Sequence, residues 1–97
     1  MNKYIKTDSL LSCNLYGKID TLNCVVLEKE LAEHMNEHIS SVIFNLQEVD
    51  YISSTFLRVV IKLVKTLGKE NFAITNLQPS IMLVFKIAGL SEVIKMQ

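Results

Sequence analysis

Apolar and polar positions alternate along the chain in two ways, with a period of two in some segments and a longer period in others. Short runs of β-branched and aromatic residues bounded by polar residues predict strands. These strands cover residues 3–7, 10–16, 41–46 and 71–75, with a short final strand within 91–96.

The segments between these strands have the periodicity of amphipathic helices. Asp20 and Thr21 are favourable N-cap residues for a first helix over 22–37, with an apolar stripe of Val26, Leu27, Leu31 and Met35. A second helix over 54–67 has an apolar stripe of Leu57, Val60, Ile61, Val64 and Leu67, and Gly68 follows it at the position typical of a helix stop. A third helix begins at Pro79 and ends before Gly89.

The resulting order, β-β-α-β-α-β-α with a final β, predicts the fold class. Helices that alternate with strands imply parallel pairing and right-handed crossovers. We therefore expect an α/β fold, a small mixed, largely parallel sheet of four to five strands with helices packed against it. The 97 residues are too few for two cores, so residues 1–97 are expected to form a single domain.

Composition limits the classes of partner. Ten basic residues balance ten acidic ones, so no nucleic acid partner is expected. No apolar run approaches the roughly 18 residues of a spanning helix, so no membrane insertion is expected either. The N-terminal segment has no apolar core of a secretion signal, and Cys13 and Cys24 lie outside any C-x-x-C pair. These features favour reduced thiols and a cytoplasmic location.

Residues His34 to His38 fit the zinc-hydrolase pattern H-x-x-E-H, with Glu37 at the position of the general base. A catalytic zinc ion needs a third protein ligand and an open position. The motif lies instead at the end of a predicted helix, where the dipole favours histidine. We interpret it as a solvated helix end and predict no metal, no cofactor and no enzymatic activity.

Two helix faces admit two interpretations each. Arg58, Lys62, Lys65 and Lys69 recur at spacings of four, three and four, which aligns them on one side of the second helix. They form either a basic ridge for an acidic partner or the solvated side of an amphipathic helix. The third helix has almost no polar face, so it is either deeply buried or in contact with another protein.

Three consecutive hydroxyl side chains, Ser53, Ser54 and Thr55, join the predicted central strand to the second helix. Ser53 is the natural N-cap. Ser54 and Thr55 then fall in the first helical turn, where free N–H groups and the positive end of the dipole would stabilise an added phosphate. Helix capping and phosphorylation both account for this composition.

Three stretches together resemble the STAS domain family, the family of bacterial anti-sigma factor antagonists. VIFNLQEVDYISSTFLRVVIKLVKTLG resembles the family's core signature. LYGKIDTLN is similar to its second strand and the following turn, and NFAITNLQPSIMLVFKIAGLSEVI to its closing segment.

The resemblance implies site residues. The family's turn of the type Asp-Ser-Ser-Gly-Leu, registered on Leu57, places the regulatory phosphate on Thr55, with Ser54 as the alternative acceptor. Asp20 matches the aspartate of the family's Gly-x-x-Asp turn. Ser53, Asn45 and Phe56 stand where the family commonly has aspartate, aspartate and glycine. The residues expected to bind the partner are Asp20, Ser53, Ser54, Thr55, Phe56, Arg58 and Lys62.

The implied function is non-enzymatic regulation through protein–protein contact. The unphosphorylated protein would bind an anti-sigma factor with serine kinase activity, and phosphorylation at Thr55 would release it. The alternative is a constitutive STAS-type accessory subunit of a transport or signalling assembly, without phosphorylation switching. A monomer or weak homodimer is expected in either case.

Overall fold

The computed structural model describes residues 1–36 and 38–97. The elements follow one another in the order β1 (Lys3–Thr7), β2 (Leu10–Ile19), α1 (Thr21–His34), β3 (Ser41–Ile52), α2 (Ser54–Leu67), a 3-10 turn (Lys69–Asn71), β4 (Phe72–Thr75), α3 (Pro79–Ile87) and β5 (Lys95–Met96). None of the helices within the described ranges combines the length and hydropathy that crossing a bilayer requires.

The five strands form one sheet in the order β1-β2-β3-β4-β5. β1 pairs with β2 antiparallel, and every other neighbouring pair is parallel. The predicted fold class, a small mixed and largely parallel sheet backed by helices, is confirmed. Because β2 and β3 are parallel and Ile19 pairs with Ile52, these two strands end together at one edge of the sheet.

The core lies on one face of the sheet. Leu11, Cys13, Val42, Phe44 and Ile74 alternate along the strands and are buried, whereas the residues between them on β2 and β3 are partly exposed. The helices supply the other half of the same cluster, and its buried helical members are Cys24, Leu27, Leu31, Phe56, Val59, Val60, Ile81 and Phe85.

The strands β2 and β3 extend further than their sequence pattern predicts. β2 runs through Gly17 to Ile19, and β3 continues to Ile52. Two register shifts between these strands break the strict alternation of buried and exposed residues. The exposed side chains of Glu48 and Asp50 therefore fall inside a strand, while Val49 and Ile52 remain in the core.

The predicted apolar stripe of α1 is wrong at one position. Leu27 and Leu31 are buried as expected, but Val26 is 47% exposed and Cys24 takes its place in the core. Residues 24, 27 and 31 share one helical face, whereas Val26 lies about 100° away from its neighbour Leu27. α1 also ends at His34, and Met35 follows it as a half-buried residue packed against the core.

The predicted stripe of α2 is rotated by about one residue. Phe56, Val59 and Val60 are its buried residues, whereas Leu57 and Val64 are half-buried at the margin of the core. The large ring of Phe56 removes more apolar surface from water than Leu57 would at the same place. Val60 faces the sheet as predicted.

Candidate functional site

The α2 helix begins at a capped junction with β3. Ser53 has an extended backbone, and its Oγ accepts a hydrogen bond of 3.3 Å from the Phe56 amide. Its own amide donates to the Ile19 carbonyl at 3.0 Å, which ties the start of α2 to the end of β2. The prediction that Ser53 is the N-cap is confirmed. Its hydroxyl is occupied by the cap and lies 3.7 Å from the Cys24 Sγ.

The other two hydroxyl groups occupy the first turn of α2. Ser54 is exposed, and Thr55 is half-buried with its Oγ1 atom 3.4 Å from the Thr21 Oγ1 atom. The first amides of a helix have no intrahelical acceptor, and the dipole makes this end electropositive. The turn can therefore stabilise an anionic group attached to Thr55 or Ser54.

The α1 helix begins directly beside α2. Asp20 is its N-cap, and the Asp20 Oδ1 atom accepts a hydrogen bond of 2.8 Å from the Asn23 amide. Thr21 is the first residue of α1 and bonds across to Thr55. The structure thus places the N-termini of two helices at one edge of the sheet. Asp20, which matches the aspartate of the family's Gly-x-x-Asp turn, lies next to Thr21.

Two surface residues at this edge were missed by the sequence interpretation. Thr21 was treated only as a capping residue, although its hydroxyl is the partner of Thr55. Leu22 was placed in the first helix without a role, although it is 75% exposed in the first turn of α1.

Phe56 requires a correction. Its ring is fully buried and stacks on Phe44, with the ring centroids 5.9 Å apart. The expectation that Phe56 belongs to the partner-binding surface is therefore wrong, because the side chain has no exposed area to offer. Phe56 instead holds the first turn of α2 against the sheet.

Arg58 and Lys62 continue the surface along α2. Both are exposed, and Lys62 lies 4.0 Å from Glu28 of α1 in a solvent-exposed ion pair. Such a pair contributes little to stability. Lys65 is also exposed on α2, and Lys69 follows in the 3-10 turn. The basic side chains lie on the solvated side of the helix, where a partner can reach them.

The α3 helix was expected to be either deeply buried or in contact with another protein, and its apolar residues lie partly in the core and partly on the surface. Ile81 and Phe85 are buried in the core. Leu83 and Ile87 are 55% and 79% exposed, and they are one turn apart on the opposite side. α3 is therefore not deeply buried, and part of its apolar surface is open to solvent.

The histidine motif does not assemble a metal site among the residues that are described. His34 stacks on Tyr4 with the ring centroids 4.6 Å apart, and His38 is exposed beyond the helix. Glu37, the proposed base of the pattern, lies outside the described residues. Within residues 1–36 and 38–97, no three histidine, cysteine, aspartate or glutamate side chains are grouped to hold a metal ion.

Both cysteines are buried and free in the structure. Burial raises the pKa of the Cys13 thiol to about 12. Burial also raises the pKa of Cys24, and the hydrogen bond with Ser53 opposes this shift. Both side chains are fully buried, and a thiol with a raised pKa is a weak nucleophile at neutral pH.

Comparison with known proteins identifies the family of the chain. The STAS domain model matches residues 3–97. A putative anti-sigma factor antagonist, BtrV of Bordetella bronchiseptica, is 35% identical over 86 residues, which is 87% of this chain and 74% of the relative.

Solved structures of antagonists share the fold. An anti-sigma factor antagonist from Mycobacterium paratuberculosis aligns with a TM-score of 0.85 at 18% identity, covering 99% of this chain and 83% of the other. The antagonist SpoIIAA in its unphosphorylated form aligns with a TM-score of 0.83 at 15% identity, covering 100% and 88%. The phosphorylated form of Bacillus SpoIIAA aligns with a TM-score of 0.75 at 15% identity, covering 100% and 91%.

The family match extends over nearly the whole chain, and BtrV is 35% identical over 87% of it. The sheet order, the three helices and the paired helix N-termini are consistent with it. This chain belongs to the STAS domain family, and BtrV, a putative anti-sigma factor antagonist, is one of its relatives.

Proposed function

We propose that this domain is a cytoplasmic, non-enzymatic anti-sigma factor antagonist. It binds an anti-sigma factor with serine kinase activity through the paired N-termini of α1 and α2, and phosphorylation at Thr55 releases it. The observation that carries the proposal is the Thr55 hydroxyl, which lies at two adjacent helix N-termini, 3.4 Å from the Thr21 hydroxyl. The similarity to BtrV supports the same function.

The choice of Thr55 over its neighbours follows from what each hydroxyl contacts. Ser53 caps α2, so its modification would break the hydrogen bond to the Phe56 amide. Ser54 is exposed and remains the alternative acceptor. Thr55 aligns with the phosphorylated position of the family turn. Its hydroxyl forms a weak pair with the Thr21 hydroxyl at 3.4 Å, which a phosphate can replace by a stronger hydrogen bond from Thr21.

Phosphorylation would change the surface more than the fold. A phosphate adds about −1.5 to −2 charges at neutral pH. Within the domain, two helix dipoles compensate this charge, and Arg58 follows Thr55 three residues later on the same side of α2. In a complex, the phosphate would lose its hydration and lie against the partner's surface, beside the carboxylate of Asp20. Partner release is the expected result.

The binding surface that we propose comprises Asp20, Ser53, Ser54, Thr55 and Arg58, with Lys62 one turn further along α2. Leu22 adds exposed apolar area at its margin. The buried ring of Phe56 supports this surface from below and replaces the small glycine of the family turn without projecting from it.

A phosphorylation assay with site mapping tests the proposal. The purified domain is incubated with the anti-sigma factor kinase from its own genome, ATP and Mg²⁺, and the phosphate is located by mass spectrometry. We expect incorporation at Thr55, its loss in Thr55→Ala, and its retention in the matched control Ser80→Ala, which removes an exposed hydroxyl in the first turn of α3.

Two results would contradict the phosphorylation mechanism. Phosphate that is retained in Thr55→Ala and lost in Ser54→Ala would move the acceptor to the alternative residue. A stable complex without any phosphate transfer would favour the constitutive accessory subunit.

A further inference from the structure

A second surface on α2 lies outside the site described above. Ile61, Val64, Leu90 and Val93 line a groove between α2 and the turn that follows α3, with Lys65 at the rim and Ile94 in the floor. We refer to it as the α2 groove. Its volume is about 220 Å³. Cavities that hold small molecules are larger, at roughly 300–1,000 Å³, so the groove suits protein side chains.

The wall of the α2 groove is held in place by hydrogen bonds. The Leu90 amide donates to the Phe85 carbonyl at 2.9 Å, and the Gly89 amide donates to the Lys86 carbonyl at 3.0 Å. Gly89 has a positive φ of 76°, so the pair forms a Schellman motif that ends α3. The Val93 and Ile94 amides both donate hydrogen bonds to the Leu90 carbonyl. The groove is therefore preformed, which lowers the entropic cost of binding.

Apolar surface in the α2 groove is exposed to water. Val93 is 48% exposed, and Ile61, Val64 and Leu90 are half-buried. Only Ile94 in the floor belongs to the buried core. Covering these side chains would remove apolar area from water at a gain of about 25 cal/mol per Å².

Charge beside the α2 groove selects the type of partner. The sequence of α2 contains Arg58, Lys62 and Lys65 but no acidic residue, and that of α3 contains Lys86 and no acidic residue. The chain as a whole is neutral, so its acidic residues are concentrated elsewhere. The turn that forms the opposite wall carries Glu92, and Lys95 follows in β5.

We infer that the α2 groove binds an acidic amphipathic helix of a partner protein. Apolar residues spaced three and four apart on such a helix would insert between α2 and the Leu90–Ile94 turn. Its flanking carboxylates would lie against Lys65, the basic residue in the lining of the groove. An apolar groove with Lys65 at its rim disfavours basic helices of the same apolar pattern.

This surface goes beyond the proposed antagonist function. Ile61 lies about 9 Å along α2 from Thr55, since a helix rises about 1.5 Å per residue. A phosphate on Thr55 neither fills the groove nor contacts its apolar walls. The α2 groove therefore keeps its partner helix in both phosphorylation states, and the inference stands or falls separately from Thr55.

A peptide titration tests the inference. The ¹⁵N-labelled domain is titrated with a synthetic amphipathic helix of about 15 residues, with leucines on one face and glutamates beside them. A second peptide carries lysine in place of every glutamate. We expect the acidic peptide to shift the amide signals of Ile61, Val64, Leu90 and Val93, and to bind at least about tenfold more tightly than the basic one.

Variants with matched controls locate the binding. Val93→Glu and Lys65→Glu should each lower the affinity for the acidic peptide about tenfold, because each substitution places a carboxylate next to the glutamates of the peptide. Val25→Glu and Lys29→Glu make the same changes on exposed positions of α1 and should leave binding unchanged. The urea unfolding midpoint of every variant is measured, and Lys65→Glu decides the outcome if Val93→Glu is unfolded.

Three results would overturn the inference. The first is equal affinity of the domain for the acidic and basic peptides. The second is that the amide signals shifted by the acidic peptide belong to residues outside the groove. The third is light scattering that shows self-association abolished by Val93→Glu, since the groove would then belong to a second copy of this chain.

Discussion

Replacement of Phe56 by alanine removes the ring that anchors the start of α2. Phe56 is fully buried, and its ring lies between the helix and the sheet, stacked on Phe44 at 5.9 Å. Phe44 in turn packs edge-on against Phe72, with their centroids 5.2 Å apart. The substitution therefore opens a cavity beside Phe44, at one end of this aromatic cluster.

The magnitude follows from the lost burial and the cavity. Phe→Ala substitutions at buried positions cost about 3–5 kcal/mol. A domain of this size has a total stability of about 5–15 kcal/mol. Phe56→Ala should therefore remove a large fraction of the free energy of unfolding. Phe56→Leu keeps most of the buried apolar area and should cost only about 1–2 kcal/mol.

Urea denaturation followed by circular dichroism measures both losses. With a denaturant slope of about 1–3 kcal/mol per molar, Phe56→Ala should lower the midpoint by at least about 1 M. Ile87→Ala is the matched control, because Ile87 is 79% exposed on α3, and its cost should stay within about 0.5 kcal/mol.

Equal midpoints for Phe56→Ala and Ile87→Ala would refute the placement of the ring in the core. A second outcome would restore Phe56 to the binding surface: a Phe56→Leu protein as stable as wild type that no longer binds the anti-sigma factor.

Two further predictions concern stability. Ser53→Ala removes the N-cap of α2 and should cost about 1 kcal/mol, seen as a fall of about 4–8 °C in the thermal midpoint; an unchanged midpoint would show that the cap contributes nothing. Stability should also decrease at alkaline pH, because burial raises the pKa of Cys13 from 9.0 to about 12 and also raises that of Tyr4. The folded state holds these protons more tightly than the unfolded chain, so the Cys13 contribution is complete below about pH 9 and is lost towards pH 12. Urea unfolding of wild type and Cys13→Ala across this range checks the sign, and a steeper loss in the variant would contradict it.

Much of the fold could be predicted from local patterns. Short runs of β-branched and aromatic residues predicted the five strands, and Ser53, Pro79 and Gly68 predicted ends of the second and third helices within a residue or two. These signals act over a few residues, so the sequence carries them directly. The end of β3 was missed because Glu48 and Asp50 interrupt its apolar pattern.

The details of the site depended on contacts that local patterns do not contain. Thr21 and Thr55 are 34 positions apart, and only the parallel pairing of β2 with β3 brings them together. The burial of Phe56 was missed because apolar residues cover more than half of the circumference of α2, which leaves the rotation of the helix undetermined by periodicity.

The most direct test of the central claim compares partner affinity across charge states of Thr55. Titration calorimetry with the serine-kinase anti-sigma factor is performed on wild type, Thr55→Ala and Thr55→Glu. Because the carboxylate must lose water in the complex, Thr55→Glu should weaken binding by about 1–3 kcal/mol, while Thr55→Ala should bind like wild type. Equal affinity of all three proteins would contradict the claim that the paired helix N-termini form the switched binding surface.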